Sequence, residues 1–218
     1  MASAFFYQFA MSFSMTEYKL QYFNIMGRAE PARLIFAYAG VQYVDERIEK
    51  QAWPEIKKAT PHGKLPVLYV DGKQLAQSRV IERYLGKVFG IAGENDWEIA
   101  KMDELVACVE DFLIEINPWF KEQDNAKKVE IFKQLCESTI IPFITEFEGL
   151  LAGSGTEFFV SDKISYADLA IFHIFWFMNS KILPGSLCKF PKLYEFVEKI
   201  SAIDSIKSWI NSRPKTEV

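Results

Sequence analysis

The chain has 218 residues, of which 50% are hydrophobic and 25% are charged, and its formal net charge is −4. This length and composition are sufficient for a well-buried core in one large domain or two small ones. The sequence has no apolar stretch near the roughly 18 residues that cross a bilayer, and its basic residues do not cluster as they do in nucleic-acid-binding proteins.

The N-terminal segment 1–16 carries no charged side chain and is rich in aromatic residues. A secretory signal would begin with a basic stretch. We therefore expect an N-terminal extension that is disordered or reflects an alternative start, and we do not expect a secretory or membrane-seeking segment.

Segment 17–91 alternates between strand and helix patterns. Proline in a first helical turn and glycine after a last turn bound its first helix, and an Asp-Gly pair marks a hairpin turn. The predicted elements are strand 17–23, helix 29–38, strands 43–48, 66–70 and 73–76, and a helix that begins at Ser78. This order indicates a small mixed sheet of α/β character.

Segment 97–218, beyond a polar linker, is predicted to be entirely helical. A helix over 127–151 contains Pro142, where we expect a kink. Ser165 and Asp168 form a capping-box pattern before an apolar run, and a final helix is predicted over 193–200. In the first long helix, apolar residues recur at steps of three and four, which indicates a face for a partner helix; they are Ile99, Met102, Val106, Val109, Leu113 and Ile116.

The cysteines Cys108, Cys136 and Cys188 lie far apart and form no CxxC pair. Such sparse cysteines indicate a reducing compartment, and we expect a cytoplasmic protein. The chain has two histidines, too few for a typical zinc site, so we expect no metal.

Pro66 opens a predicted strand, and a proline at this place is often cis. A cis bond would expose the N–H and C=O of Leu65, which could pair with an extended peptide ligand as in strand addition. An ordinary edge-strand proline is the alternative.

Gln77 and Ser78 stand where a helix is predicted to begin. Free amides, a hydroxyl and the helix dipole favour a bound carboxylate there. Ser78 as a simple N-cap residue is the alternative, and the two interpretations are compatible.

Tyr22, at the end of the first strand, is the candidate catalytic residue. A thiol with a pKa of about 8.5 is mostly protonated at neutral pH, whereas its thiolate is the nucleophile. A phenol that donates a hydrogen bond to the sulfur, helped by Arg28, favours the thiolate. A tyrosine that only packs in the core is the alternative.

Several motifs occur together in a fixed order. They are Tyr18-Lys19-Leu20 with Tyr22-Phe23-Asn24, Gly27-Arg28-Ala29-Glu30, Trp53-Pro54-Glu55-Ile56-Lys57, Gly63-Lys64-Leu65-Pro66, Val70-Asp71-Gly72, Gln77-Ser78 with Arg83-Tyr84-Leu85, and Ser165-Tyr166-Ala167-Asp168. With these motifs the chain resembles the glutathione S-transferases, and among them the sigma class, from about residue 15 to its end.

The resemblance implies a thioredoxin-like domain over 17–91, an all-helical domain over 97–218 and assembly as a homodimer. It also implies glutathione as the cosubstrate, with its thiolate conjugated to small hydrophobic electrophiles, and no nucleic-acid or membrane partner. Tyr22 resembles the tyrosine that stabilises this thiolate, and Arg28 the arginine that supports the tyrosine.

The resemblance implies further glutathione-binding residues: Trp53 and Lys57 at the glycyl carboxylate with Lys64 beside them, Leu65 at the cysteinyl backbone, Pro66 as a cis proline, Gln77 and Ser78 at the γ-glutamyl group, and Asp111 reaching that group across the dimer interface.

For the electrophile, the resemblance implies a pocket lined by Phe23, Ile25 and Gly27 beside Arg28. Trp119 is a candidate wall, and a core position is the alternative for this aromatic residue.

The chain departs from the family pattern at three positions. Met26 replaces a common arginine, and Ala107 replaces an acid that helps to bind metal in some relatives, so we expect no metal activation. Arg79 replaces a small or apolar residue, and we expect it to add positive charge near the γ-glutamyl carboxylate.

Two other activities would use the same thiolate, namely prostaglandin endoperoxide isomerisation and reduction of lipid hydroperoxides. A ligand carrier or crystallin-like structural protein is an alternative of another class. A disulfide oxidoreductase is disfavoured because loop 22–27 contains no thiol.

Overall fold

The computed structural model describes residues 16–216. The predicted extension over 1–16 therefore lies almost entirely outside the described residues. The front half of the chain, residues 18–88, contains one four-stranded mixed sheet with the strand order β2-β1-β3-β4. Its strands are β1 Tyr18–Phe23, β2 Val44–Ile48, β3 Val67–Val70 and β4 Lys73–Ala76.

The central strand β1 pairs parallel with β2 and antiparallel with β3. The parallel pairing needs a crossover, which helix α1, Glu30–Ala39, supplies. Pro31 lies in its first turn, and Gly40 ends it at φ +66°, a left-handed conformation suited to glycine. The register places Tyr22, near the end of β1, opposite Arg47 of β2.

The connection from β2 to β3 consists of short helical turns around α2, Trp53–Ile56, which the residue pattern did not locate. Asp71 and Gly72, with φ of 49° and 79°, form the predicted hairpin turn between β3 and β4. Helix α3 follows over Ser78–Val88.

The second half is helical, as predicted. Its helices are α4 Asp96–Lys121, α5 Asn125–Leu135, α6 Ile141–Gly153, α7 Tyr166–Phe177, α8 Pro191–Ser201 and α9 Asp204–Ser212. The single helix expected over 127–151 is divided into α5 and α6 by a π-helical turn, Cys136–Ile140, just before Pro142. Helix α9 was not predicted.

The apolar face of α4 packs against α7 of the same chain. Met102, Val106, Val109 and Ile116 are buried there as predicted, together with Phe112. Because this face is filled within one chain, it gives no support for a dimer. The combination of an α/β half with an all-helical half is confirmed, and the exact domain boundaries stay predictions.

Helix α7 is the buried centre of the second half, and the predicted capping box starts it. The Ser165 hydroxyl accepts the amide hydrogen of Asp168, and the Asp168 carboxylate accepts that of Ser165 at 2.8 Å. The same carboxylate accepts the amide hydrogen of Phe159 at 3.0 Å. Burial raises the pKa of Asp168 to about 6, although the hydrogen bonds from Ser165 and Phe159 lower it.

A buried ionic cluster ties α1 to the C-terminal helix. Glu30, which is fully buried, binds Arg33 at 3.1 Å and Arg213 at 2.5 Å. It also accepts the indole hydrogen of Trp209 at 2.8 Å. The two halves are thereby joined near the end of β1. Across residues 16–216, none of the helices combines the length and apolarity required to span a membrane.

The capping box predicts a stability effect. Asp168→Asn should lower the free energy of unfolding by about 2–3 kcal/mol, because it weakens buried charge-assisted hydrogen bonds. Asp162→Asn, an exposed aspartate in the preceding loop, should change it by less than about 0.5 kcal/mol. Urea-induced unfolding measures both, and equal effects would contradict the structural role given to Asp168.

Candidate active site

Tyr22 lies at the end of β1 and is 7% exposed. Its hydroxyl oxygen accepts a hydrogen bond from the backbone N–H of Arg28 at 3.2 Å. The guanidinium carbon of Arg33 stands 5.9 Å from the centre of its ring. The turn that follows β1 thus fixes the phenol oxygen through the Arg28 amide. The phenol proton remains available for donation.

Burial raises the pKa of the Tyr22 phenol, and the Arg28 amide and the charges of Arg28 and Arg33 only partly offset this effect. The phenol is therefore protonated at neutral pH. A protonated phenol can donate a hydrogen bond to an anionic sulfur, whereas a phenolate would repel it.

Gly27 provides the space that the Tyr22 hydroxyl occupies. Its backbone is left-handed at φ +42°, and a Cβ atom there would stand 2.9 Å from the Tyr22 hydroxyl oxygen and 3.1 Å from ring atom Cε1. Both the conformation and the close approach favour glycine.

Four charged side chains form a network beside Tyr22. The guanidinium groups of Arg28 and Arg79 both bind the Glu110 carboxylate of α4. Arg79 also binds the fully buried Glu82 at 2.8 Å. Neither Glu82 nor Glu110 was predicted from the sequence to take part in the site. Because Arg79 is neutralised by two carboxylates, it does not provide the additional positive charge expected for the γ-glutamyl carboxylate.

A cavity of about 270 Å³ opens beside Tyr22, between the sheet half and helices α4 and α7. Polar groups on its wall belong to Tyr22, Arg28, Arg79, Asn117 and His173. The rest of the wall is Ile25, Gly27, Pro31, Leu113, Phe120, Ala170, Ile174 and Phe177. An apolar cavity with a few polar groups is the usual form of a small-molecule site.

Two predicted pocket residues, Phe23 and Trp119, do not line this cavity. Phe23 stands between Tyr22 and Trp53, with ring centres 5.7 Å and 5.5 Å away. The Phe23 ring therefore lies on the Trp53 side of Tyr22. Trp119 lines a smaller apolar cavity and packs on Phe132 at 5.2 Å. Ile25 and Gly27 do line the Tyr22 cavity.

The peptide bond between Leu65 and Pro66 is cis, which confirms that prediction. Pro66 is buried directly before β3, and Leu65 is half-buried. Gln77, at φ +74°, occupies the N-cap position of α3, so Ser78 is the first helical residue and not the N-cap. The Gln77 side chain makes no capping hydrogen bond to this helix start, so its amide groups can receive an anion.

The three other glutathione-binding candidates from the front half lie between β2 and β3. Lys57 and Lys64 are exposed, Trp53 is half-buried, and neither lysine has a carboxylate partner within residues 16–216. Asp111 is exposed in a separate groove with Glu115 and Glu146, away from the Tyr22 cavity. Within one chain, therefore, Asp111 is not brought to the site.

Residues 16–216 contain no group of three or more histidine, cysteine or acidic side chains arranged to hold a metal ion. The three cysteines are free thiols. The groups that the structure gathers at the site are a phenol, two arginines, two carboxylates and a histidine, which suit acid–base and thiol chemistry.

Two family models match the chain: the glutathione S-transferase N-terminal domain over residues 18–87 and the C-terminal domain over residues 110–213. Glutathione S-transferase 1 of Ascaris suum is 38% identical over 205 residues, which cover 93% of this chain and 99% of the relative. Human hematopoietic prostaglandin D synthase is 36% identical, with coverage of 94% of this chain and 100% of the relative.

The structure of prostaglandin synthase D of Nilaparvata lugens is similar in fold, with a TM-score of 0.84 and 37% sequence identity. The match covers 92% of this chain and 100% of that one. Sequence, family models and fold agree over nearly the whole chain, and the chain belongs to the glutathione S-transferase family.

Proposed function

We propose that the protein conjugates the thiolate of glutathione to small hydrophobic electrophiles, as a cytoplasmic homodimeric enzyme of the sigma class. The observation that carries this proposal is the protonated Tyr22 hydroxyl, fixed by the Arg28 amide at the edge of an apolar cavity. The family assignment and the names of the relatives support it.

The chemical step requires little beyond sulfur ionisation and proximity. Tyr22 donates a hydrogen bond to the thiolate and lowers the pKa of the thiol; a lowering of two units corresponds to about 2.7 kcal/mol. The sulfur then attacks an electrophile in the adjoining cavity, so that both reactants are held in one place. The nucleophile belongs to the cosubstrate, and no covalent enzyme intermediate forms.

Glutathione, in this proposal, extends along the edge of the sheet half. Its cysteinyl backbone pairs with Leu65 before the cis Pro66. Its glycyl carboxylate meets Trp53, Lys57 and Lys64, and its γ-glutamyl carboxylate meets Gln77, Ser78 and the uncapped start of α3.

Asp111 is proposed to act in the partner subunit's site. It is exposed and separated from its own chain's cavity, and a carboxylate there suits the γ-glutamyl amine of glutathione bound to the other subunit.

Glutathione-dependent isomerisation of a prostaglandin endoperoxide is the second candidate. The similar proteins include human hematopoietic prostaglandin D synthase and the prostaglandin synthase D of Nilaparvata lugens, and the same thiolate would serve. Product analysis with a prostaglandin endoperoxide, beside an aryl halide conjugation assay, separates the two activities. A ligand carrier would retain glutathione on a column and turn over neither substrate.

Tyr22→Phe should lower kcat for aryl halide conjugation by about 10- to 100-fold, because one charge-assisted hydrogen bond to the sulfur is lost. Retention on immobilised glutathione should change little. Tyr18→Phe, a buried tyrosine four residues earlier on β1, is the matched control and should keep its turnover. Equal turnover in Tyr22→Phe and the unmodified chain would remove Tyr22 from the mechanism.

Gly27→Ala should reduce kcat by at least about 10-fold, because its methyl group would displace the Tyr22 hydroxyl. Gly40→Ala is the control: Gly40 also has a left-handed backbone, at φ +66°, but no atom lies within 4 Å of an added Cβ. Both changes should cost about 1 kcal/mol of stability through backbone strain. Steady-state kinetics measures kcat, and thermal unfolding measures the loss of stability. If kcat falls equally in both variants, the space at Gly27 is irrelevant to catalysis.

A further inference from the structure

Glu30 of α1 is a fully buried carboxylate whose two oxygens bind different parts of the chain. Oε2 accepts a hydrogen bond from Arg33 of the same helix at 3.1 Å. Oε1 accepts one from the indole of Trp209 at 2.8 Å and one from Arg213 at 2.5 Å. One carboxylate therefore links the C-terminal end of the chain to α1, the helix that follows β1 and its turn.

Arg33, which is also fully buried, extends this link to the turn after β1. Its Nη1 atom donates to the backbone oxygen of Ile25 at 2.8 Å and to that of Met26 at 3.3 Å. Its guanidinium carbon lies 5.9 Å from the centre of the Tyr22 ring, within the range of a cation–π contact. Because the guanidinium plane is rigid, the position of the turn depends on where Arg33 is held.

The same turn supplies the hydrogen-bond donor of the Tyr22 phenol. The Arg28 amide lies 3.2 Å from the Tyr22 hydroxyl oxygen. The series of hydrogen bonds that starts at the C-terminal end thus reaches the segment that fixes the phenol. Neither Trp209 nor Arg213 lines the cavity, so neither residue contacts a ligand there directly.

The Glu30 carboxylate is charged and depends on its partners. Burial raises the pKa of Glu30, but its neighbours together outweigh burial and hold that pKa below its ordinary value; they are Arg33, His173, Arg213 and Trp209. Arg213 is itself 9% exposed. Removal of one partner from a buried charge is strongly unfavourable, so the loss of a C-terminal donor changes how Glu30 binds Arg33.

We propose that Glu30 is a positioning residue for the thiolate step, and that Trp209 and Arg213 act through it. With both donors in place, Glu30 holds Arg33 against the turn and keeps the amide donor of the turn in line with the phenol oxygen. Tyr22 then presents its proton to the glutathione sulfur in one fixed orientation. This inference rests on the proposed function and adds to it a requirement for the C-terminal end of the chain.

The expected consequence is a change in sulfur ionisation. Hydrogen bonds weaken steeply when donor and acceptor are misaligned, so a phenol that is less well fixed donates a weaker bond to the thiolate. The thiol is then harder to ionise. Retention of glutathione should change little, because the residues proposed to bind it lie outside this series of hydrogen bonds.

The test is ultraviolet titration of the thiolate of glutathione bound to the protein. Arg213→Met should raise the pKa of the bound thiol by at least about 0.5, which leaves about 3-fold less thiolate at a pH below that pKa. Trp209→Phe removes the other Oε1 donor without a change of charge and should raise the pKa by at least about 0.3. Trp209→Phe alone carries the test if Arg213→Met does not fold.

The pH profile of kcat for aryl halide conjugation is the second measurement. In both variants kcat should fall below the pKa of the bound thiol and approach that of the unmodified chain above it, where the thiol is ionised in every protein. A general loss of structure would lower kcat at every pH.

Two exposed residues supply the matched controls. Lys207→Met removes a positive charge from α9, and Trp97→Phe changes a tryptophan that is 74% exposed at the start of α4. Because exposed groups are screened by solvent, both controls should keep the pKa of the bound thiol within about 0.1 of that in the unmodified chain.

The inference alone is overturned if the bound thiol has the same pKa in Arg213→Met, Trp209→Phe and the unmodified chain, below that of free glutathione in all three. A higher pKa in Arg213→Met without one in Trp209→Phe also overturns it, because the loss of a positive charge then explains the result. Bound glutathione that is no more acidic than free glutathione in the unmodified chain overturns the proposed function instead.

Discussion

The hydrogen bond from the Arg28 amide to the Tyr22 oxygen is the interaction on which the site depends. In this bond the phenol oxygen is the acceptor, so the phenol proton is free to be donated to a ligand in the cavity. Burial keeps that proton in place at neutral pH, and the absence of a side chain at Gly27 leaves room for the oxygen. A backbone donor is suited to this task because it is fixed by the turn and carries no charge that would favour a phenolate.

The two halves of the chain are joined close to this turn, which gives it a rigid support. The fully buried Glu30 binds Arg33 of its own helix and Arg213 beyond α9, and Arg33 donates to the backbone oxygen of Ile25 at 2.8 Å. Ile25 belongs to the cavity wall. The position of the loop after β1 is therefore set by groups from both ends of the sequence, and the cavity lies where the two halves meet.

The sequence predicted those features that depend on local pattern. Strand and helix periodicity located β1, α1 and α4, and the Ser165–Asp168 spacing located the start of α7. The network of Arg28, Arg79, Glu82 and Glu110 was missed because it joins α3 and the turn after β1 to α4. Its contacts to Glu110 come from residues 31 and 82 positions away in sequence. Side-chain packing around the cavity was also beyond local pattern: Phe23 packs between Tyr22 and Trp53, and Trp119 lines the smaller apolar cavity. The pocket roles given to Phe23 and Trp119 stay predictions.

The central claim is that a single protonated phenol makes the sulfur of a bound tripeptide more acidic than it is in water. Ultraviolet titration of the thiolate of glutathione bound to the protein tests it directly, with the Tyr22→Phe variant and free glutathione measured beside it. If Tyr22 has this role, the thiol of bound glutathione should have a pKa at least about one unit below that of free glutathione in the unmodified chain. In the Tyr22→Phe variant its pKa should lie near the free value. Bound glutathione that ionises no more readily than free glutathione would show that Tyr22 does not acidify the thiol.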